Sequence, residues 1–350
     1  MKFVAGLIAL AALASAAPGK APTPLNIKLE SAGNAEIKAV ITNTGKNNLK
    51  IFKTGTILDS AVVEKVSIAS GATLEHTVAF DGIRQRVSTK NLSEDAFQSI
   101  PAGESIEVTF DIAEAHDLSA GGKYDVQSAG AFSFAQEGST ELVGSVPFET
   151  NKIEVDIDGQ AASARRLAFH EKRTRVQSDC TGSRLTVTQT ALRNCASLAQ
   201  AAQQAAANGA AAKVTEYFKS ATSSVRSTVS GVFSRVASEC GSTSSGVSNY
   251  YCSDVLSSCS SGVLAYTLPS QSLMVYCNLY FTALPALTRS CHAQDQATTN
   301  IHESTHLSQV KGTQDYGGYG YNFVRSLSAA QNLNHADTYA LFANAIYAGC

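Results

Sequence analysis

The stretch NIHESTHLSQVKGTQDYGGYGYN, Asn300–Asn322, contains the motif His-Glu-x-x-His at His302, Glu303 and His306. Residues four apart on an α-helix lie roughly 40° apart around its axis, so the two imidazoles would face the same side. Neutral imidazole nitrogens are good zinc ligands. The motif therefore predicts a zinc site that takes two of its ligands from one helix.

The surrounding sequence predicts the helix that this geometry needs. Asp295–Val310 reads as helical, with Asp295 as the N-cap and Gly312 just past the end. Glu303 would lie beside the metal without binding it. From there it could take a proton from a water at the zinc and pass that proton to a leaving amine.

The third ligand is not fixed by the motif. The pattern H-E-x-x-H-x-x-G-x-x-H fails because Gln309 and Gly312 stand where it needs Gly and His, and no glutamate follows the motif. The downstream candidates are Asp315, Asp337 and His335. Asp315 is favoured, because the glycines around it let the chain turn back over the metal and leave the fourth position for water.

Asp337 suits a supporting role better. It could accept a hydrogen bond from the second nitrogen of a ligand imidazole. Since Asn334–Gly349 is predicted to be an amphipathic helix, Asp337 could instead interact favourably with the positive end of that helix. Both interpretations stay open at this point.

The first twenty residues, MKFVAGLIALAALASAAPGK, have the three parts of a secretory signal: Lys2, a short apolar run, and the small residues Ala14–Ala16. We assign residues 1–17 to the signal peptide and expect a secreted, extracellular protein. The run is too short to span a bilayer. A formal net charge of −2 with 16% charged residues gives no reason to expect nucleic acid or a membrane as partner.

All eight cysteines lie in the second half of the chain, and no C-x-x-C spacing occurs among them. An even number of cysteines in a secreted segment predicts four disulfides rather than a zinc cluster. The cysteines are Cys180, Cys195, Cys240, Cys252, Cys259, Cys277, Cys291 and Cys350.

The boundary of the cysteine-rich half coincides with the dibasic pair Lys172-Arg173, a candidate site for a processing protease. Before it, short runs alternate apolar and polar residues, which predicts an antiparallel β-sandwich over residues 18–173. After it, residues 174–350 read as mostly helical with a small β element around Pro269. The expected fold class is α+β. The alternating runs are Leu25–Ser31, Ala35–Asn43, Ser105–Ala113 and Asn151–Asp158.

The sequences HESTH and GTQDYGGYG resemble the deuterolysin family of fungal secreted zinc proteases, the aspzincins. Further landmarks extend the resemblance over the second half, and the first half resembles the removable propeptide of that family. The resemblance implies a zincin-like catalytic domain, one Zn²⁺ per chain held by His302, His306 and Asp315, and Glu303 as general base. It also implies the pairs Cys180–Cys252, Cys259–Cys277 and Cys291–Cys350, which leave Cys195 and Cys240 to bond to each other.

One position departs from the family pattern, in which a Tyr stands three residues after the Asp. Here Gly318 occupies that position and the Tyr comes one later. In the family, this Tyr is thought to donate to the oxyanion of the tetrahedral intermediate. We expect Tyr319 to take the role, with Tyr316 and Tyr321 as competitors.

These features predict a secreted zinc endopeptidase that is made as a latent preproprotein and acts as a monomer on proteins, basic ones among the candidates. Its partners would be these substrates, its own propeptide before removal, and a protease that cuts at Lys172-Arg173. Since the propeptide has no cysteine, latency would come from steric blocking or from a carboxylate or imidazole. The alternatives are a secreted non-catalytic zinc-containing effector and an adhesion protein that keeps its β-sandwich.

Overall fold

The computed structural model describes residues 23–70, 77–171, 178–241 and 246–350. The predicted signal peptide and the dibasic pair Lys172-Arg173 lie outside the described residues. Within them, the mixed α+β class expected from the sequence is confirmed. No helix among the described residues has the length and apolarity that a bilayer span requires.

The first half of the chain is built from short strands and ends in one helix. The alternating runs form strands because they put apolar side chains on one face, as on β2, where Ile37, Ala39 and Ile41 are buried. The elements are β1 (Leu25–Ser31), β2 (Glu36–Asn43), β3 (Leu49–Phe52), β4 (Ser67–Ser70), β5 (Arg84–Val87), β6 (Phe97–Ile100), β7 (Ser105–Asp111), β8 (Gly122–Gln127), β9 (Ala129–Ala135), β10 (Leu142–Glu149), β11 (Ile153–Ile157) and α1 (Gly159–Glu171).

Ten of these eleven strands form three antiparallel sheets, in the orders β1-β2-β7, β10-β9-β3-β6 and β11-β8-β4. Side chains from all three sheets meet in one apolar core, which includes Ile27, Ile51 and Val126. The first half therefore has its own hydrophobic core.

The second half is mainly helical, as predicted, and its first long helical region breaks after Asn208. The two extended segments expected around Pro269 are present as β13 and β14. The elements are α2 (Gly182–Asn208), α3 (Ala211–Phe218), α4 (Ser223–Cys240), β12 (Asn249–Tyr251), β13 (Val263–Leu268), β14 (Leu273–Tyr276), α5 (Asn278–Ala283), α6 (Gln296–His306), α7 (Tyr321–Ser326), α8 (Ala329–Asn332) and α9 (Ala336–Ala348).

Helix α6 is the centre of this half. It packs against α2, α4, α9 and β13, and every residue from Gln296 to His306 is buried. Four disulfides cross-link the same half, and they join the pairs given in the sequence analysis: Cys180–Cys252, Cys195–Cys240, Cys259–Cys277 and Cys291–Cys350.

Strand β5 joins the two halves. It leaves the sheets of the first half and pairs antiparallel with β13, which gives a four-stranded sheet in the order β12-β14-β13-β5. The small β element was predicted from the sequence without this strand. The side chains of Arg84–Val87, RQRV, are buried on both faces of the strand. The segment therefore does not show the alternation of apolar and polar residues that identifies a half-exposed strand.

Candidate metal centre

Helix α6 begins where the sequence predicted. Asp295 caps it: its Oδ1 accepts the Thr298 N–H at 2.7 Å, and the Thr298 hydroxyl oxygen accepts the Asp295 N–H at 3.2 Å. This reciprocal pair satisfies two backbone donors that would otherwise be unpaired inside the protein. The start of the motif helix is thereby fixed in a fully buried position.

The predicted helix end at Val310 is wrong, because α6 ends at His306. Leu307 leaves helical geometry, and its carbonyl accepts the N–H groups of Val310, Lys311 and Gly312 in a compact turn. Gly312 has φ +70°, a left-handed conformation that glycine adopts without steric cost. The chain therefore reverses immediately after the second histidine of the motif.

The two histidines of the motif face the same side of α6, with ring centroids 4.8 Å apart, and both are fully buried. The Nδ1–H of His306 donates to the Thr313 carbonyl at 2.9 Å, so Nε2 is the nitrogen that faces Asp315. That Nε2 has no hydrogen-bond partner within the described part of the chain. A buried nitrogen of this kind is suited to binding a metal ion.

The reversed chain brings Asp315 to the same point. Its Oδ1 lies 3.2 Å from His302 Nε2 and 3.5 Å from His306 Nε2. One ligand atom from each of these residues falls within 4.8 Å of the other two, so the three side chains could hold a metal ion. Two imidazole nitrogens and one carboxylate oxygen are a donor set that suits zinc and leaves a fourth position open.

His335, the other histidine considered as a ligand, fixes the position of Asp315 instead. Its Nε2–H donates to the Asp315 carbonyl at 3.0 Å, and its Nδ1 lies 3.1 Å from the Thr338 hydroxyl. The backbone of Gln314 also bonds on both sides, to Asn334 and Ala336. The start of α9 thus holds the loop that presents the carboxylate.

Burial and charge set the protonation of this cluster. Burial lowers the pKa of His302 to about 3, so this imidazole is neutral at physiological pH. Burial by itself would raise the pKa of Asp315, but His306 and His302 hold it well below its usual value. Neutral imidazoles and an ionised carboxylate are the forms that bind a metal ion.

Glu303 is fully buried beside the three candidate ligands. Its Oε2 accepts a hydrogen bond of 2.7 Å from the Thr267 hydroxyl on β13, whereas its Oε1 has no partner within the described ranges. Burial raises the pKa of Glu303 well above its usual value. The free carboxylate oxygen is therefore available to accept a proton from a reacting group.

The three tyrosines considered as oxyanion donors have different surroundings. The hydroxyl of Tyr319 donates to the Gln85 carbonyl at 3.4 Å, and that carbonyl oxygen lies 3.3 Å from His302 Nε2. Tyr321 donates to Glu216 and stacks on His292, and the hydroxyl of Tyr316 accepts from Asn334. Of the three hydroxyls, only that of Tyr319 donates to a carbonyl at the metal centre.

Gly318 is a glycine for a steric reason. A Cβ at this position would lie 2.2 Å from a ring carbon of Phe323, so no larger residue fits without moving that ring. The tyrosine expected at this position in the family pattern is therefore excluded by local packing. In this chain the tyrosine is the next residue, Tyr319.

Asp337 is buried at the start of α9 and forms an ion pair with Arg86 of β5. Its Oδ1 lies 3.6 Å from His302 Nδ1, beyond hydrogen-bond distance, and its Oδ2 accepts the Gly320 N–H at 2.6 Å. Arg86 Nη1 lies closer to the same imidazole nitrogen, at 3.2 Å. Asp337 thus faces His302 from the side away from Asp315, as a supporting residue would.

Sequence reasoning missed three residues of this site. Thr267 bonds to Glu303, and Gln85 and Arg86 reach the centre from the first half of the chain. Thr267 is a neutral residue inside an apolar strand, and Gln85 and Arg86 lie about 220 positions from the motif. No local sequence signal therefore points to any of the three. In the structure, the burial of the charged strand RQRV marks Gln85 and Arg86.

A His-Glu-x-x-His helix with a carboxylate brought to the same point by a reversed chain is the active-site arrangement of a metallopeptidase. The comparison with known families agrees. The model of the deuterolysin metalloprotease (M35) family matches residues 1–350, and the chain belongs to this family. It is therefore a metalloendopeptidase.

Related fungal proteins match over the whole chain. A neutral protease 2 homolog of Colletotrichum graminicola is 55% identical, and one of Phaeosphaeria nodorum is 57% identical; both matches cover 100% of each chain. Among solved structures, a zinc peptidase from Grifola frondosa aligns with a TM-score of 0.41 and 22% identity, over 47% of this chain and 97% of that chain.

Proposed function

We propose that this protein is a secreted, zinc-dependent endopeptidase made as a latent precursor, with one Zn²⁺ per chain bound by His302, His306 and Asp315. The observation that carries the proposal is the convergence of these three buried ligand atoms within 4.8 Å of one another. Glu303 lies beside them with one unpartnered carboxylate oxygen. This is the arrangement of a catalytic zinc site, with three protein ligands and an open position.

Bound zinc supplies a Lewis acid that polarises the scissile carbonyl and makes a nearby water more acidic. Glu303 takes a proton from the water as the water oxygen bonds to the carbonyl carbon, and gives that proton to the leaving amine nitrogen as the C–N bond breaks. Thr267 holds the second oxygen of Glu303 in place. Tyr319 donates to the oxyanion, a role supported by its contact with the Gln85 carbonyl.

The precursor has three parts in this proposal: a signal peptide (1–17), a β-sandwich propeptide (18–173) and a catalytic domain (174–350). A processing protease cuts at Lys172-Arg173. The four disulfides support this division, because all of them lie between Cys180 and Cys350. The processed enzyme works outside the cell as a monomer. Asp337 orients His302 once the precursor is processed.

The proposed substrates are proteins, with a preference for bonds followed by a basic residue. Arg86 supports this preference, since it directly follows the Gln85 carbonyl that faces His302. Its guanidinium is buried against Asp337. Burial lowers the pKa of Arg86 to about 10, and the surrounding carboxylates keep the guanidinium charged. A buried carboxylate at this position favours a cationic side chain.

Exchange of Glu303 for Gln tests the proposal. Gln keeps the size of the side chain but cannot accept a proton, so Glu303→Gln should retain one zinc per chain and lose hydrolysis of casein. Full hydrolysis by this variant would exclude the assigned mechanism. If the wild-type processed chain binds zinc but hydrolyses no protein, the second candidate, a non-catalytic zinc-containing effector, takes its place.

A further inference from the structure

Among the strands of the described residues, β5 is the one strand of the first half that pairs with the second half. It lies at the edge of the sheet β12-β14-β13-β5, opposite β13 in the register Arg86↔Ala265 and Gln85↔Tyr266. A peptide that adds to a sheet edge in this way gains main-chain hydrogen bonds whatever its side chains are. The edge of β13 therefore has the geometry that an extended peptide could pair with, and the protein's own chain occupies it.

The main chain of β5 passes directly over the candidate metal centre. The Gln85 N–H donates to Asp315 Oδ2 at 3.3 Å, and the Gln85 carbonyl oxygen lies 3.3 Å from His302 Nε2. The main chain of one residue thus contacts two of the three candidate ligands. A substrate carbonyl would need the same space.

The segment that follows is also held on the edge away from β13. The side chain of Gln294 donates to the Val87 carbonyl at 2.7 Å and accepts the Thr89 N–H at 2.9 Å. The Ser88 N–H donates to the Gly262 carbonyl at 2.8 Å. Residues 85–89 are therefore held along both edges, as an extended peptide in a cleft would be.

Arg86 anchors the strand. Its side chain is 1% exposed, forms an ion pair with Asp337, and has Nη1 at 3.2 Å from His302 Nδ1. Loss of either member of a buried ion pair leaves an uncompensated charge in a low-dielectric site. The strand is thus held by a charge pair that exists only when both halves are associated.

Contacts outside β5 also join the halves. Tyr319 packs in an apolar cluster with Phe52, Val87 and Leu92, and the Thr54 hydroxyl donates to the Ser261 carbonyl at 3.0 Å. None of these contacts involves residue 172 or 173.

We propose that strand β5 is a built-in competitive inhibitor, anchored by Arg86, and that cutting the chain at Lys172-Arg173 does not by itself open the active site. The β-rich half must dissociate or be degraded before a substrate can add to β13. The inference rests on the proposed endopeptidase function. It identifies the blocking group as a backbone strand with a guanidinium anchor, rather than a carboxylate or imidazole.

The test uses the full chain with a site-specific protease sequence in place of residues 172–173. After the cut, the two halves of the otherwise unchanged protein should elute together in gel filtration and hydrolyse casein slowly. Arg86→Ala, cut in the same way, should hydrolyse casein faster by on the order of a hundredfold. Arg84→Ala is the matched control, because Arg84 lies in the same strand but contacts Glu64 and the Phe80 ring.

Two measurements keep the test independent of hydrolysis and of misfolding. Hydrogen exchange at the β13 amides should be slow in the cut protein and fast in cut Arg86→Ala, and extraction of zinc by a chelator should accelerate in the same variant. Arg86→Lys, which keeps the charge, should fall between. Rapid hydrolysis by the cut, otherwise unchanged protein with β13 still protected would overturn the inference, as would cleavage of the Gln85–Arg86 bond. Fast exchange in Arg86→Ala without hydrolysis would instead refute the proposed function.

Discussion

Replacement of Thr267 by Val tests how Glu303 is held in its catalytic state. Val has nearly the shape of Thr but cannot donate the hydrogen bond of 2.7 Å to Glu303 Oε2. A hydrogen bond to a charged group contributes about 1.5–3 kcal/mol. Because this bond stabilises the ionised carboxylate, its loss raises the pKa of Glu303. At 1.36 kcal/mol per unit, the expected rise is about one to two pKa units.

The assay is the pH dependence of kcat/KM for an uncharged peptide substrate, measured on the processed enzyme. A general base must be ionised, so activity is lost as the pH falls through the pKa of Glu303. In Thr267→Val the acid limb should therefore move to higher pH by about one to two units. Thr267→Ser keeps the hydroxyl and should leave the limb in place. An unchanged acid limb in Thr267→Val, with the fold intact by circular dichroism, would refute the role given to this hydrogen bond.

Two further predictions concern the loop after Asp315. Tyr319→Phe removes one donor to the oxyanion and should lower kcat by on the order of 10²–10³ with little change in KM. Steady-state kinetics on the processed enzyme measures both. A change in KM alone would assign the hydroxyl to substrate binding. Gly318→Ala places a Cβ 2.2 Å from the Phe323 ring. It should lower the free energy of unfolding, measured by urea titration, by about 1–3 kcal/mol. An unchanged midpoint of the titration would show that the ring moves without cost.

Local sequence patterns predicted much of the fold. Alternation over Leu25–Ser31 predicted β1 at its observed bounds, and Asp295 predicted the start of α6, because both signals lie within a few residues of the feature that they specify. The end of α6 was predicted too late. Leu307 and Val310 still have the spacing of apolar residues on a helix. The chain instead forms a compact turn in which the Leu307 carbonyl accepts three backbone N–H groups, and this turn replaces a further turn of helix.

Some residues of the candidate site can likewise be predicted from local sequence signals, and others cannot. His302, Glu303 and His306 follow from one motif, and the glycines around Asp315 indicate a reversal of the chain. Strand β5 could not be predicted, because its burial depends on pairing with a strand far along the sequence. Four consecutive residues without an apolar face look like an exposed loop when two of them are arginines. Only the fold shows that carboxylates surround Arg86.

In the proposed mechanism, Asp315 is the third ligand of a catalytic zinc. The most direct measurement is the zinc-to-protein ratio of the processed enzyme and two variants by atomic emission, with folding checked by circular dichroism. We expect one zinc per chain in the unchanged enzyme and in Asp337→Asn, and almost none in Asp315→Ala. A full complement of zinc in Asp315→Ala, with loss in Asp337→Asn, would contradict this expectation and assign the third ligand to Asp337.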